Sequence, residues 1–378
     1  MDTNLKMRTK VTYIISDIDK AIAFEWIAQE INKSLFELSF ILYNNKSSHL
    51  EQFLIKNNIP VCRIKYQSKK DLPKAVFQTI SFLRKNNIQI VHTHLFEASF
   101  IGLISAKLAG VKKRIYTRHY ATLNFQYFPQ AVKWDKLINK LATHIVAISE
   151  NVKNVLIHKE GADENKISLI YHGFKLEQFL ETDNIKVELL NSKYNSGNKK
   201  PVIGVIARFI ELKGVQYIIP AFKEVLKKYP NALLLLFGTQ GDYELQINKL
   251  LKEIPESSFV KVEFETEITS LYKIFDIYIH VPINESIEAF GQTYVECMAS
   301  GTPIIATKSG IGKEILVHKQ NSFVVPFKNT NSITEAIFIL LEDKEMRDKI
   351  VSNSYSTVVE NFSIKTMIQK LENLYFYS

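Results

Sequence analysis

A chain of 378 residues is too long for one ordinary core, and two domains of roughly 150–200 residues are the expected division. With 46% hydrophobic and 23% charged residues, the composition excludes a disordered chain, and no run approaches the ~18 consecutive apolar residues of a membrane-spanning helix. The net charge of +9 falls entirely within residues 1–183, which suits a half that attracts an anionic membrane surface or a phosphate-bearing acceptor; no motif beside it points to nucleic acid.

The N-terminus is polar and leads into a strand-like run at 11–15, so no signal peptide is expected. Ser16, Asp17, Ile18, Asp19 and Lys20 follow it, and 21–33 has helical periodicity. Apolar runs at 38–43, 88–92, 114–117 and 145–148 predict further strands, with a helix at 101–109. Strand and helix in alternation imply a parallel sheet covered on both faces. Cys62 and Cys297 lie far apart in apolar surroundings and read as reduced core residues, which points to the cytoplasm.

A polar stretch at 183–200 reads as a linker, after which the pattern restarts. Strands are predicted at 202–207, 233–237, 260–264, 277–280 and 304–306, with a helix at 215–228 and an amphipathic helix at 363–375. The expected organisation is an N-terminal Rossmann-like domain over 1–182, the linker, and a C-terminal Rossmann-like domain over 201–362. A terminal helix over 363–378 is expected to pack back toward the first domain. The predicted fold class is α/β, two Rossmann-like domains facing each other across a cleft.

Two segments carry chemistry. Glu288 and Glu296 are separated by seven residues, and Gly291 lets the chain turn into a helix that Gly301 ends. Backbone amides around Phe290, Gly291, Gln292 and Thr293 then form a helix start, a site for a diphosphate, while the two carboxylates accept hydrogen bonds from sugar hydroxyls. Upstream, Arg208 and Lys213 follow the strand at 202–207, and Gly214 admits the next helix. Two cations at a strand's carboxyl end suit a leaving diphosphate.

The segment from Glu288 through Gly301-Thr302-Pro303 resembles the E-x7-E signature of the large retaining glycosyltransferase family with the GT-B fold (group 1, family 4-like), and Arg208 with Lys213 resembles its R-x4-K element. The resemblance implies that Glu288 holds donor-sugar hydroxyls, Glu296 the nucleotide ribose, and Arg208 and Lys213 the departing diphosphate. It implies a nucleotide-sugar donor such as a UDP-sugar, bound by the domain over 201–362, a glycan or lipid-linked acceptor on the side of the domain over 1–182, no cofactor and no metal. Gly238 and Gly310 resemble the family's glycine turns near the nucleotide. In the first half His94 and His119 resemble the family's histidines, His119 near the donor sugar and acceptor. His172-Gly173 replaces a usual Asn-Gly. The paired glycine expected after the first strand is missing; Ser16 and Asp17 stand there as acceptor-side candidates, and Asp17-x-Asp19 mimics a metal-binding D-x-D. A nucleotide-sugar 2-epimerase of the same fold and a non-catalytic scaffold are the alternatives.

Overall fold

A computed structural model describes residues 8–377, the side chain of Tyr377 apart; the polar N-terminal stretch lies outside them. The chain divides into two compact units. One runs through Phe174 and takes in the terminal helix from Ile364, and the other spans Lys175–Ser363.

The first unit is a seven-stranded sheet of β1 (Thr9–Ser16), β2 (Phe36–Tyr43), β3 (Val61–Ile64), β4 (Ile90–His94), β5 (Lys113–Arg118), β6 (His144–Ala147) and β7 (Ile167–Leu169). The order is β3-β2-β1-β4-β5-β6-β7 and every pairing is parallel. Val11 through Ser16 are buried without interruption, the pattern of a strand covered on both faces. The order reverses between β1 and β4, where Ile15 lies opposite His94. Ser16 and His94 therefore end up at the switch point, where ligands of such sheets bind.

The second unit repeats the plan with β8 (Val202–Ile206), β9 (Leu233–Phe237), β10 (Phe259–Val262), β11 (Ile277–His280), β12 (Ile304–Ala306) and β13 (Phe323–Val324) in the order β10-β9-β8-β11-β12-β13, all parallel. Leu234, Leu236, Ile203, Val205 and Ile279 pack with Phe222 and Ile337 of the covering helices. Its switch point lies between β8 and β11, so the segments leaving Ile206 and His280 are neighbours.

The strands β3, β7 and β13 are absent from the sequence reading. They are four, three and two residues long, at or near sheet edges and only partly buried, so no apolar run announces them. The stretch at 183–200 corrects the linker assignment. It holds a helix, Asn184–Tyr194, started by the Asp183 side chain accepting from the Ile185 N–H. Leu190 and Tyr194 are buried, and the Tyr194 hydroxyl donates to Glu265 Oε2 at 2.5 Å. A polar composition misled because one narrow face of that helix does the packing. The chain instead passes between units at Phe174–Lys175 and returns at Ser363–Ile364.

The terminal helix Ile364–Tyr377 belongs to the first unit. The Ile364 N–H donates to Phe174 O at 2.9 Å, Leu371 and Leu374 are buried, and Tyr375 reaches the core, with its hydroxyl 2.5 Å from that of Tyr13 and 2.8 Å from His92 Nδ1.

Candidate functional site

In the second unit the site is built on the exits of β8 and β11. After Ile206 the chain is tied to the segment after β9: the Ala207 N–H donates to Phe237 O at 2.9 Å and the Phe209 N–H to Gln240 O at 3.0 Å. Phe209 is buried and its neighbour Arg208 exposed. Gly238, at φ +80°, makes the turn beside Ala207. Lys213 ends a short 3-10 turn, and Gly214, at φ +75°, opens the helix Val215–Lys228. A Cβ on Gly214 would lie 1.9 Å from Val281 O, so only glycine lets this turn press against the exit of β11. Gly214→Ala combines that clash with a left-handed φ and is expected to cost at least about 2 kcal/mol in denaturant unfolding.

This close approach delivers Lys213 to Glu288. Lys213 Nζ lies 2.5 Å from Glu288 Oε1, and His280 Nε2, at the end of β11, lies 3.2 Å from the same oxygen. Glu288 is 7% exposed. Its loop is held from behind: Ser309 Oγ accepts from the Glu288 N–H at 3.1 Å, and Phe290 O accepts from the Ile311 N–H at 2.8 Å. Gly310, at φ +52°, lets the two loops touch, since a Cβ there would lie 2.6 Å from Glu288 Cβ. Burial alone would raise the Glu288 carboxyl, but the Lys213 ammonium and His280 reverse that and hold it well below the usual carboxylate range. Glu288 is thus a fixed, ionised hydrogen-bond acceptor.

Phe290 is buried edge-on against Phe362 at 5.7 Å. Gly291, at φ +91°, precedes the helix Gln292–Ser300, whose start no side chain caps; Gln292 is exposed and Thr293 half-buried. An uncapped start presents backbone N–H groups to an anion. One turn inside, Glu296 is half-buried and its Oε2 accepts from the Tyr272 hydroxyl at 2.9 Å. Burial pushes its carboxyl up to about 7 despite that bond. The two glutamates thus stand in opposite electrostatic settings.

In the first unit, His94 Nδ1 lies 3.0 Å from His119 Nε2. The His94 ring stacks on Tyr13 at 5.2 Å, and the His119 ring on His172 at 5.5 Å. His92 completes the group, its Nε2 2.7 Å from Thr117 Oγ1. Burial lowers all four, His92 to about 3 and His172 to about 4, so these imidazoles are neutral near pH 7. Leu95, just after His94, has φ +69° and ψ 165°, a conformation strained for leucine and held by its surroundings.

Of the acceptor-side candidates, Ser16 supports a helix start. It is buried, and its hydroxyl accepts from the Ala98 N–H at 3.3 Å, at the start of the helix Phe96–Ala109. Asp17 is exposed at φ +49° and takes the left-handed turn that a glycine would otherwise supply. Asp19 is occupied with His49, accepting from its N–H at 3.1 Å and facing its Nδ1 at 2.9 Å. The sequence reading missed His280, and it named His172 only as a departure from the family's turn, with no site role. His280 was findable, because the predicted strand 277–280 ends on it and such ends face ligands.

Comparison with known proteins follows the same division. Residues 187–357 match the family model "Glycosyl transferases group 1", and residues 27–178 match "Glycosyltransferase Family 4". The chain is 28% identical over 312 residues to the capsular polysaccharide biosynthesis glycosyltransferase CapM of Staphylococcus aureus, covering 80% of each protein. It is 23% identical to the UDP-Gal:alpha-D-GlcNAc-diphosphoundecaprenol alpha-1,3-galactosyltransferase of Escherichia coli, covering 81% of this chain and 79% of that one. Among solved structures, Anabaena HepE in complex with UDP and glucose superimposes with a TM-score of 0.83 at 18% identity, over 98% of this chain and 100% of the other. With both halves matched and the same two-sheet architecture, the chain belongs to the group 1 glycosyltransferases and has the GT-B fold.

Proposed function

We propose that this glycosyltransferase transfers a hexose or related sugar, with retention of anomeric configuration, from a UDP-sugar to a glycan or lipid-linked acceptor in cell-surface polysaccharide or glycolipid synthesis. The carrying observation is the Lys213–Glu288–His280 cluster at the switch point of the second sheet, in the loop that leads into the uncapped start of Gln292–Ser300. Glu288 accepts from donor-sugar hydroxyls and Glu296 from the ribose. Arg208, Lys213 and the amides at Phe290–Thr293 receive the charge that gathers on the diphosphate as the glycosidic bond breaks. Cations and dipoles already in place favour that charged state over the ground state. His119 and His94 serve the acceptor side, with Asp17 as a further contact there. No metal is needed, because fixed cations take its place. Names of relatives favour this reading: CapM acts in capsular polysaccharide biosynthesis, and the galactosyltransferase is named for a diphosphoundecaprenol-linked acceptor. The two free cysteines suit a reducing, cytoplasmic setting, and no helix among the described residues is long and apolar enough to cross a membrane.

A thermal-shift screen of nucleotide sugars tests the assignment. The cognate donor at 100 times its Kd is expected to stabilise by about 2.7 kcal/mol, equally with and without EDTA. Stabilisation by none of the UDP-sugars, or only with divalent metal, would refute the donor or the metal-free mechanism. Incubating donor without acceptor and looking for an epimerised sugar separates transfer from 2-epimerisation.

Glu296 adds a pH signature. Its folded carboxyl is raised to about 7, so it is protonated below that pH and loses its best acceptor form. Nucleotide affinity is expected to strengthen as pH rises from 6 to 8, and calorimetry on Glu296→Gln should show that slope flattened. The stability sign is opposite: between the ordinary 4.5 and about 7 the folded carboxyl binds more protons than the unfolded one, so this group's contribution falls as pH rises through that window.

A further inference from the structure

The histidine group of the first unit fixes the place of a proton as well as the place of a ring. His94 ends β4 and is 3% exposed, whereas His119, one residue past β5, is half-buried. Of the two rings, His119 is the one that solvent or substrate can reach. The His94 ring is clamped: it stacks on Tyr13 at 5.2 Å, meets Phe24 edge-on at 4.8 Å and lies 4.4 Å from His92. His92 is itself held at both nitrogens, Nδ1 by the Tyr375 hydroxyl and Nε2 by Thr117 Oγ1. The strained Leu95 that follows is a further sign that the surroundings dictate where His94 sits.

One contact joins the pair, His94 Nδ1 to His119 Nε2 at 3.0 Å, and His94 Nε2 is buried with no hydrogen-bond partner among the described residues. Burial keeps both imidazoles neutral near pH 7. A neutral imidazole carries a single proton, and the nitrogen that holds it follows from the bond its other nitrogen makes. Two arrangements satisfy the contact. If His119 donated from Nε2, the His94 proton would sit on its own Nε2, a buried N–H among aromatic rings with nothing to accept it. Orphaned buried donors are the rarer and costlier kind. If His94 donates from Nδ1, only a bare ring nitrogen is left inside, and the His119 proton is forced to Nδ1.

We propose that His94 is a positioning residue that fixes the tautomer of His119, so that His119 meets its substrate through Nδ1–H as a hydrogen-bond donor and not as a base. His94 itself need not touch substrate. The inference rests on the reading of His119 as a site residue, but the tautomer belongs to the free protein and is measured without any sugar.

In 15N-labelled protein a protonated ring nitrogen is distinguished from a bare one by its shift, and the signals that vanish in His119→Asn belong to His119. In the full chain they are expected to show the proton on Nδ1. His94→Phe keeps the ring and its stacking but removes the donor. There the His119 signals should move to a mixture of both forms, and kcat should fall about tenfold to a hundredfold, with KM for the nucleotide sugar and circular dichroism little changed. His94→Asn returns an amide N–H near the place of Nδ1 and should recover part of that loss, whereas a packing role would make it the worse of the two. His119→Asn likewise keeps a donor near Nδ1 and should be about tenfold more active than His119→Ala; a base would be lost equally in both. The proposal is overturned by a parent His119 protonated on Nε2, by a His94→Phe protein whose tautomer and kcat match the parent's, or by His119→Asn falling to the level of His119→Ala. Failure of the parent to transfer any sugar would overturn the proposed function and leave the tautomer measurement to decide this one.

Discussion

Glu288→Gln is expected to lower kcat for sugar transfer about a hundredfold to a thousandfold while circular dichroism and the unfolding midpoint stay close to the parent. The substituted amide keeps the shape but removes the charge that Lys213 and His280 surround. Its effect therefore falls on hydrogen bonds to sugar hydroxyls that tighten as the donor bond breaks. Lys213→Met should lose a comparable amount by another route. Without the ammonium, the largest influence that holds the Glu288 carboxyl down is gone and the carboxyl rises, so at saturating donor the residual kcat of this variant should climb with pH more steeply than the parent's. Because the two residues act through one contact, the double variant should be little worse than either single one. Radiolabelled sugar transfer to acceptor measures all three, and full activity in either single variant would remove Glu288 from the reaction.

The second large effect concerns stability. Arg118→Met is expected to cost about 3–5 kcal/mol, read as a drop in the urea midpoint. Arg118 is fully buried at the end of β5, 3.0 Å from Asp135 and 2.5 Å from Glu160, with its guanidinium 3.6 Å from the centre of the Tyr120 ring. Asn139 Nδ2 donates to the other Glu160 oxygen at 2.7 Å. Deleting the cation strands two buried carboxylates, and stranded charges cost more than the intact pair contributes. Since His119 is the next residue, the variant should also lose activity in proportion to its unfolding rather than through kcat alone. A midpoint shift below about 1 kcal/mol would show that water reaches this network.

What could be read beforehand follows from how each feature is encoded. The strands at 233–237, 277–280 and 304–306 and the helix at 215–228 are long or continuous apolar patterns, and the structure forms them at those bounds. Glu288, Lys213, Gly291 and Gly310 were legible because turn glycines and charges cluster at fixed spacings, and the fold brings Lys213, Glu288 and Gly310 into contact. The edge strands and the helix at Asn184–Tyr194 were not legible, since partial burial leaves no clear period. His172 and the Arg118–Asp135–Glu160 network depend on partners 53, 17 and 42 residues away. Such pairings are set by the sheet order and leave no local trace. The partner of Ser16 was illegible for a related reason: the helix start it supports comes 82 residues later.

The terminal helix makes the order of synthesis differ from the order of completion. A ribosome adding about 5–20 residues per second needs roughly 10–40 s to travel from Phe174 to Tyr375. Through that interval Phe36 waits for the ring that meets it edge-on at 5.5 Å, and His92 for the hydroxyl at its Nδ1. The segment Lys175–Ser363 is uninterrupted and has all its own strands before the earlier half receives its last piece. The half made first is thus the half finished last, and it leaves the ribosome with part of its core uncovered.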